Sequence, residues 1–98
     1  MYDQIEKKMR RAADNGRIVL GTHVRKNLLL RRFTAADIDA CLETGIIVEH
    51  QYDGDEVKYI WRGEALDGRE IGLVTKLTYH QKVFVMTVYW VEWLDYEE

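Results

Sequence analysis

The apolar and polar positions divide the chain into a helical first half and a strand-like second half. Residues 82–93 read KVFVMTVYWVEW and contain neither Gly nor Pro, a composition typical of a half-buried strand. Read with a period of two, one face carries Phe84, Met86, Val88 and Trp90, and the other carries Val83, Val85, Thr87, Tyr89 and Val91. A strand that is apolar on both faces is usually central in its sheet. We therefore predict a central strand with helices on the Trp90 face and a more polar cleft on the Tyr89 face.

Two helices are predicted before residue 33. The first begins at Tyr2 and ends near Ala13, because Asn15-Gly16 is a stop signal and one apolar stripe carries Tyr2, Ile5, Met9 and Ala12. Residues 18–20 are short and extended. Thr22 is the predicted N-cap of a second, short helix that ends near Arg32.

A third helix is predicted from its two ends. Thr34 is followed three residues later by Asp37, a spacing close to a capping box. Gly45 supplies the stop signal at the other end. The helix buries Ile38, Cys41 and Leu42.

The remaining chain predicts a meander of four strands. Asp53-Gly54, a strong hairpin signal, separates residues 46–52 from residues 56–63. A two-residue loop there places Glu49 opposite Lys58 and Ile47 opposite Ile60. The facing of Val57, Tyr59 and Trp61 depends on whether Gly63 is a bulge.

The last hairpin follows a turn at Asp67-Gly68 and reverses at His80-Gln81. Its predicted cross-strand pairs are Tyr79 with Lys82, Leu77 with Phe84, Leu73 with Val88 and Ile71 with Trp90. The opposite face then brings Val74, Lys76, Thr87 and Tyr89 together. The fold class is therefore α+β, with two to three N-terminal helices packed on a four-stranded antiparallel meander sheet.

Length and composition describe one folded domain over residues 1–98. The chain is 47% hydrophobic and 32% charged, and no apolar run approaches the ~20 residues that span a bilayer. The N-terminus has no apolar signal-peptide core, and the single cysteine, Cys41, suits a reducing compartment. We expect a cytoplasmic protein that does not contact membranes.

Charge is distributed unevenly along the chain. Residues 1–33 hold nine Lys/Arg against three Asp/Glu, a balance of +6. Residues 34–98 hold five against fourteen, a balance of −9, so the net charge is −3. This division is compatible with a local RNA-binding patch, with a basic protein partner on the acidic part, and with head-to-tail self-association.

The order of these pieces resembles a family of small bacterial domains of unknown function. Its members open a helix with Thr/Ser-x-His, place a basic residue eight positions after the His, continue with a Ser/Thr-capped helix that ends in Gly, and finish with a Thr-x-Tyr strand. The matching residues are Thr22 with His23, Arg31, Thr34 with Gly45, and Thr87 with Tyr89. The match covers roughly residues 18–90, and residues 1–16 form an additional helix. The chain has Asn27 where the family usually has Arg, and Arg32 where it usually has Gly.

That family is similar to the RelE, BrnT and barnase-like ribonuclease fold, many of whose members are toxins paired with antitoxins. The resemblance implies cleavage of RNA without a metal or other cofactor, and a cognate antitoxin-like protein as a partner. The candidate catalytic residues are His23 as base or acid, Lys76 as a phosphate-holding cation, and Tyr89 as an orienting group or proton donor. The candidate substrate-binding residues are Thr22, Arg31, Arg32 and Thr87.

A second class of function is compatible with the same sequence. A small chain with an acidic sheet half also suits a non-catalytic module that binds protein or RNA, such as an antitoxin-like or phage-encoded inhibitor. The residues His23, His50 and His80 do not have the spacing of metal ligands. No metal site is therefore predicted for either function.

Overall fold

A computed structural model describes residues 1–91 as three helices and five strands. The helices are α1 (Asp3–Asp14), α2 (Thr22–Leu30) and α3 (Ala35–Thr44), and the strands are β1 (Ile18–Leu20), β2 (Ile46–Asp53), β3 (Glu56–Glu64), β4 (Glu70–Leu77) and β5 (Val83–Trp90). The strands form one sheet in the order β1-β5-β4-β3-β2. One buried cluster joins side chains of all three helices to alternate residues of the sheet. The α+β class is thereby confirmed.

The sheet has one strand more than the four-stranded meander that the sequence predicts. Strands β2 to β5 form the expected antiparallel meander, and β1 adds a fifth strand, which pairs with β5 in parallel. β1 contains only Ile18, Val19 and Leu20, too few residues for an alternation to be recognised. β5 therefore has a neighbour on each side, as an interior strand must. The end of the predicted strand, residues 92 and 93, lies outside the described residues.

A β-bulge in β5 changes which of its side chains are buried. Ile71 pairs with Trp90 and Leu73 with Val88, as predicted, but Val74 pairs with Thr87 while the next residue, Thr75, pairs with Val85. Met86 is consequently an extra residue on β5, and such a residue interrupts the alternation of the strand.

The bulge brings two residues of the predicted cleft face into the core. Val83 and Val85 are fully buried together with Val88, whereas Phe84 and Met86, which the simple alternation assigns to the core, are only half-buried. The prediction was therefore right for the second half of β5 and wrong for the first half.

The turn between β4 and β5 shifts by one residue to match the bulge. Leu77 pairs with Val83 rather than with Phe84, and the predicted pairing of Tyr79 with Lys82 is wrong. The Thr78 N–H donates to the Lys82 carbonyl at 2.9 Å, and Gln81 has a positive φ of 63°. These features describe a three-residue hairpin loop whose last residue, Gln81, has a left-handed backbone conformation.

The β2–β3 hairpin also differs from its predicted register. Asp53 pairs with Glu56, so the loop is Gly54-Asp55 rather than Asp53-Gly54, and a register shift lies between Ile47 and Glu49. The predicted pairs are wrong: Glu49 pairs with Ile60, and Ile47 pairs with Trp61. Gly63 pairs with Ile71 without a bulge. Trp61 is fully buried, and Val57 and Tyr59 lie on its side of the sheet, beside Ile5 of α1.

The helix ends follow the predicted signals with one exception. The Thr34 hydroxyl accepts a hydrogen bond from the Asp37 N–H at 3.1 Å, and the Asp37 carboxylate accepts one from the Thr34 N–H at 2.9 Å, which confirms the capping box. α2 is different, because its N-cap is Gly21 and Thr22 is already its first residue. Gly45 does end α3, but with a φ of −92°. Glycine is required there because a Cβ would overlap the carbonyl oxygens of Cys41 and Arg62.

α1 is attached to the rest of the domain by Arg10. Its guanidinium donates to the Leu42 carbonyl at 3.0 Å and to the Gly45 carbonyl, which lie at the end of α3. The nearby Glu6 carboxylate accepts a hydrogen bond from the buried Ile47 N–H at 2.8 Å. Arg10 therefore completes the C-terminal end of α3, and it is not available as a phosphate-contacting residue of the basic N-terminal third.

Replacing Val88 tests the facing of β5. An unpaired carboxylate in this fully buried position costs several kcal/mol, on the order of the whole stability of a small domain. Val88→Asp is therefore expected to unfold the protein, as measured by circular dichroism and urea denaturation. Thr87→Asp, one residue away on the opposite face, is the matched control and is expected to fold. A cooperatively folded Val88→Asp variant with the wild-type midpoint would contradict this placement of the core.

Adjacent arginines on α1 provide a second test. Arg10→Ala leaves two carbonyls at the end of α3 without their charged donor and is expected to lower the free energy of unfolding by about 2–3 kcal/mol. Arg11 is exposed, and Arg11→Ala is expected to change stability by about 0.5 kcal/mol or less. Urea denaturation of both variants measures the difference. Equal stability of the two would show that Arg10 does not attach α1.

Candidate functional site

The side of the sheet away from α1, α2 and α3 carries a row of partly accessible side chains. Among the residues that cross-strand pairing places there, we call nine from the three inner strands the open sheet face: Lys58, Ile60 and Arg62 of β3, Gly72, Val74 and Lys76 of β4, and Phe84, Thr87 and Tyr89 of β5. All nine except the buried Gly72 are half-buried. The same side of the sheet also carries Ile46, Glu49 and Gln51 of β2 and Val19 of β1. The face combines cations, hydroxyls and apolar side chains, groups that a nucleic-acid strand can contact, and the carboxylates of Glu49, Glu56 and Glu70 lie beside them.

Tyr89 crosses from its own strand onto the neighbouring strand. Its backbone pairs with that of Gly72, and a Cβ on Gly72 would overlap the Cζ, Oη and Cε2 atoms of the Tyr89 ring. The phenol therefore lies directly over Gly72. A glycine within a strand often marks such a close approach, and here it lets the hydroxyl reach the middle of the open sheet face.

Arg62 is the next residue in the same row across the sheet. It pairs with Gly72 on the side opposite to Tyr89. Its Nη1 atom lies 3.7 Å from Oε1 of Glu70, a long ion pair between partly exposed groups. Its Nε atom is buried and has no hydrogen-bond partner within residues 1–91. Arg62 thus has donor capacity that the described contacts leave unused.

Lys76 lies on the same face but is already paired. Its Nζ atom is 3.1 Å from both carboxylate oxygens of Glu56, and it lies 5.5 Å from the centre of the Phe84 ring. A phosphate that binds Lys76 must therefore compete with Glu56. The structure places Lys76, Thr87 and Tyr89 on one face, but Lys76 pairs with Phe84 and Tyr89 pairs with Gly72, so these two rows are about 13 Å apart along β4.

α2 begins at the edge of this face. The Gly21 N–H donates to the Val85 carbonyl at 2.9 Å, and a Cβ at Gly21 would lie 3.4 Å from the Phe84 ring. His23 and Thr22 follow in the first turn of α2, and both are exposed. Because Thr22 adjoins His23 directly, Gly21 and not Thr22 occupies the first position of the Thr/Ser-x-His pattern.

The other two candidate cations lie at the far end of α2. Arg31 is eight residues after His23, which corresponds to about 12 Å along a helix. Its carbonyl accepts a hydrogen bond from the Trp90 indole at 3.0 Å, so this end of α2 is held near the end of β5. Arg32 follows with a positive φ of 58°, a conformation that favours glycine. That preference explains why Gly is usual at this position.

Asn27 stands where the family pattern has Arg. It is on the buried side of α2, with 8% of its surface exposed. It follows His23 by four residues, so the two residues are neighbours on one side of the helix, and the chain offers a neutral amide beside His23 in place of a cation.

Sequence reasoning missed Arg62 and Gly72. The sequence does contain a signal for Gly72, because an isolated glycine inside an apolar strand pattern indicates close backbone approach. Arg62 has no such signal. Its facing depends on the β3–β4 register, which the sequence did not determine because Gly63 could have been a bulge.

The remaining candidate chemistry is limited in the described residues. Within residues 1–91, no three His, Cys, Asp or Glu side chains are grouped so that they could hold a metal ion. Burial raises the pKa of Cys41 to about 12, so its thiol stays protonated and unreactive at neutral pH. None of the described helices is both long and apolar enough to cross a membrane.

Comparison with known proteins identifies a family but not an activity. Residues 20–90, well over half of the chain, match the model of a domain of unknown function, DUF4258. No curated protein and no solved structure matches the chain. The matched region begins at the end of β1 and ends with β5, so it contains the open sheet face and all of α2, but not α1. The chain therefore belongs to the DUF4258 family of domains of unknown function.

Proposed function

We propose that this protein is a toxin-like, metal-independent endoribonuclease, or a descendant of one, and that RNA binds on the open sheet face. The observation that carries the proposal is that Lys76, Thr87 and Tyr89 lie on one face, which α1, α2 and α3 do not cover, with the His23 end of α2 at its edge beside Phe84. The resemblance to the RelE, BrnT and barnase-like fold supports the same chemistry.

Cleavage of RNA through its own 2′-hydroxyl needs three kinds of group. A base removes the hydroxyl proton, an acid protonates the leaving oxygen, and donors stabilise the charge on the phosphate. His23 supplies an imidazole that can act as base or acid. Tyr89 supplies a hydroxyl over Gly72 that orients the phosphate or donates a proton, and Lys76 supplies a cation once the phosphate displaces Glu56.

The remaining candidates suit binding rather than chemistry. Thr87 pairs with Val74 on the open sheet face, where its hydroxyl can contact a phosphate or a ribose. Thr22 has the same role beside His23. Arg31 and Arg32, at the other end of α2, would contact a flanking part of the RNA.

A second candidate function is a non-catalytic module that binds a protein or RNA, such as an antitoxin-like or phage-encoded inhibitor. The observation that favours it is a pair of exposed leucines at the end of α2, Leu29 at 88% and Leu30 at 79% exposure. Adjacent exposed apolar side chains of this kind are typical of protein-binding surfaces. The basic residues Arg31 and Arg32 follow directly, so an acidic apolar segment is the protein partner that fits best.

The catalytic proposal is tested by histidine replacement. Purified protein is expected to cleave single-stranded RNA in the presence of a chelator. His23→Ala is expected to lower the rate by roughly 10²–10⁴-fold, the usual contribution of a general acid or base. The matched control is His80→Ala, because His80 is an exposed histidine in the loop between β4 and β5. Its rate is expected to equal that of the wild type.

Two outcomes would contradict the proposal. One is the absence of cleavage in wild-type protein that is folded by circular dichroism. The other is cleavage that His23→Ala leaves unchanged. If binding of an acidic peptide is instead lost in Leu29→Ser with Leu30→Ser, the second candidate function is favoured.

A further inference from the structure

We infer that Arg62 and Tyr89 together bind a phosphodiester group on the open sheet face. This inference deepens the proposed function and rests on it for the identity of the ligand as RNA, although the binding site can be measured without any cleavage. Neither the family pattern nor the sequence selects Arg62. The site follows from one row of the sheet in which Arg62, Gly72 and Tyr89 are paired in succession.

The first argument is the unused donor capacity of Arg62. Its Nε atom is buried and has no hydrogen-bond partner in the described part of the chain. The side chain as a whole is 38% exposed, so its terminal N–H groups remain accessible to a ligand acceptor above the sheet, although Nε itself is buried. Its only ion pair among residues 1–91, at 3.7 Å to Glu70, is long and involves a carboxylate that is more than half exposed. An incoming anion can therefore replace or supplement Glu70 with little loss.

The second argument compares the three cations of the open sheet face. The Lys58 Nζ atom lies 3.0 Å from Oδ2 of Asp53, and the Lys76 Nζ atom lies 3.1 Å from Oε2 of Glu56. Both lysines therefore have short ion pairs. Arg62 has the longest pair of the three. Its guanidinium is also planar and presents parallel N–H groups, the geometry that binds two phosphate oxygens at once. Arg62 is therefore the cation best suited to hold a phosphodiester.

The third argument is the position of the Tyr89 hydroxyl. The hydroxyl lies over Gly72, which pairs with Arg62 on the neighbouring strand. Neighbouring strands are about 4.8 Å apart, so the hydroxyl is about one inter-strand spacing from the backbone of Arg62. A phosphodiester has two non-bridging oxygens and a single negative charge, which one guanidinium and one hydroxyl can satisfy. Ile60 and Val74, which pair with each other on the same face, offer an apolar surface for the attached sugar or base.

The experiment is a titration of isotope-labelled protein with the dinucleotide UpU, monitored by amide chemical shifts. The first ribose carries a 2′-O-methyl group throughout, so the ligand keeps its phosphodiester and cannot be cleaved. Arg62→Gln removes the charge while keeping a polar side chain, and it is expected to weaken binding by about 10-fold or more. Tyr89→Phe removes only the hydroxyl, and a loss of about 5-fold is expected. Lys8→Gln is the control, because Lys8 is an exposed cation of α1 and lies outside the open sheet face, and its affinity is expected to equal that of the wild type.

Gly72→Ala provides a test that deletes no polar group. The added Cβ overlaps the phenol and must displace it, so binding is expected to weaken about as much as in Tyr89→Phe. The double variant with Gly72→Ala and Tyr89→Phe is expected to be no weaker than either single variant, because both changes remove the same hydroxyl. This non-additivity keeps the inference testable even if Arg62→Gln fails to fold.

The outcomes separate this inference from the proposed function. Loss of UpU binding in Arg62→Gln supports the site even if the wild type cleaves no RNA, in which case only the catalytic proposal fails. Unchanged binding in folded Arg62→Gln and Gly72→Ala overturns the site even if the wild type cleaves RNA through His23. Wild-type protein that does not bind UpU at millimolar concentration also overturns it.

Discussion

The extra residue in β5 determines how the two sides of this domain differ. Without the bulge at Met86, a regular alternation would place Phe84 in the core beside Val88 and would expose Val83 and Val85. With the bulge, both valines are fully buried, and Phe84 joins Thr87 and Tyr89 on the open sheet face. One inserted residue thus affects packing and the candidate site together, because it brings two valines into the core and moves Phe84 to the side of the sheet where Thr87 and Tyr89 already lie.

The local features of the fold could be predicted from the sequence, and the non-local ones could not. The capping box of Thr34 and Asp37 and the apolar stripe of α1 depend on residues three or four positions apart, so the sequence pattern contains them. The pairing of β1 depends on Val83 to Val85, more than sixty residues away. The bulge leaves no pattern either, since Phe84 and Met86 are as apolar as the valines that replace them in the core.

The same distinction applies to the candidate site. Lys76, Thr87 and Tyr89 could be grouped from sequence because one hairpin register relates them, and an error of one residue at its turn did not separate Thr87 from Tyr89. Arg62 could be placed on this face only from the register of a further strand pair, β3 with β4. His23 is in the first turn of α2 and Arg31 is its C-cap, so the two residues lie at opposite ends of the helix, which their spacing along the sequence did not show.

A map of the RNA-binding surface tests the central claim that the open sheet face is the functional surface. Amide chemical shifts of labelled protein are compared with and without a short single-stranded RNA oligonucleotide whose riboses carry 2′-O-methyl groups, so that it cannot be cleaved. We expect the changes to be concentrated on β3, β4 and β5 around Arg62, Gly72 and Tyr89, and on the first turn of α2, with α1 unaffected. Changes confined to the basic residues of α1, or to the exposed Leu29 and Leu30, would contradict the claim.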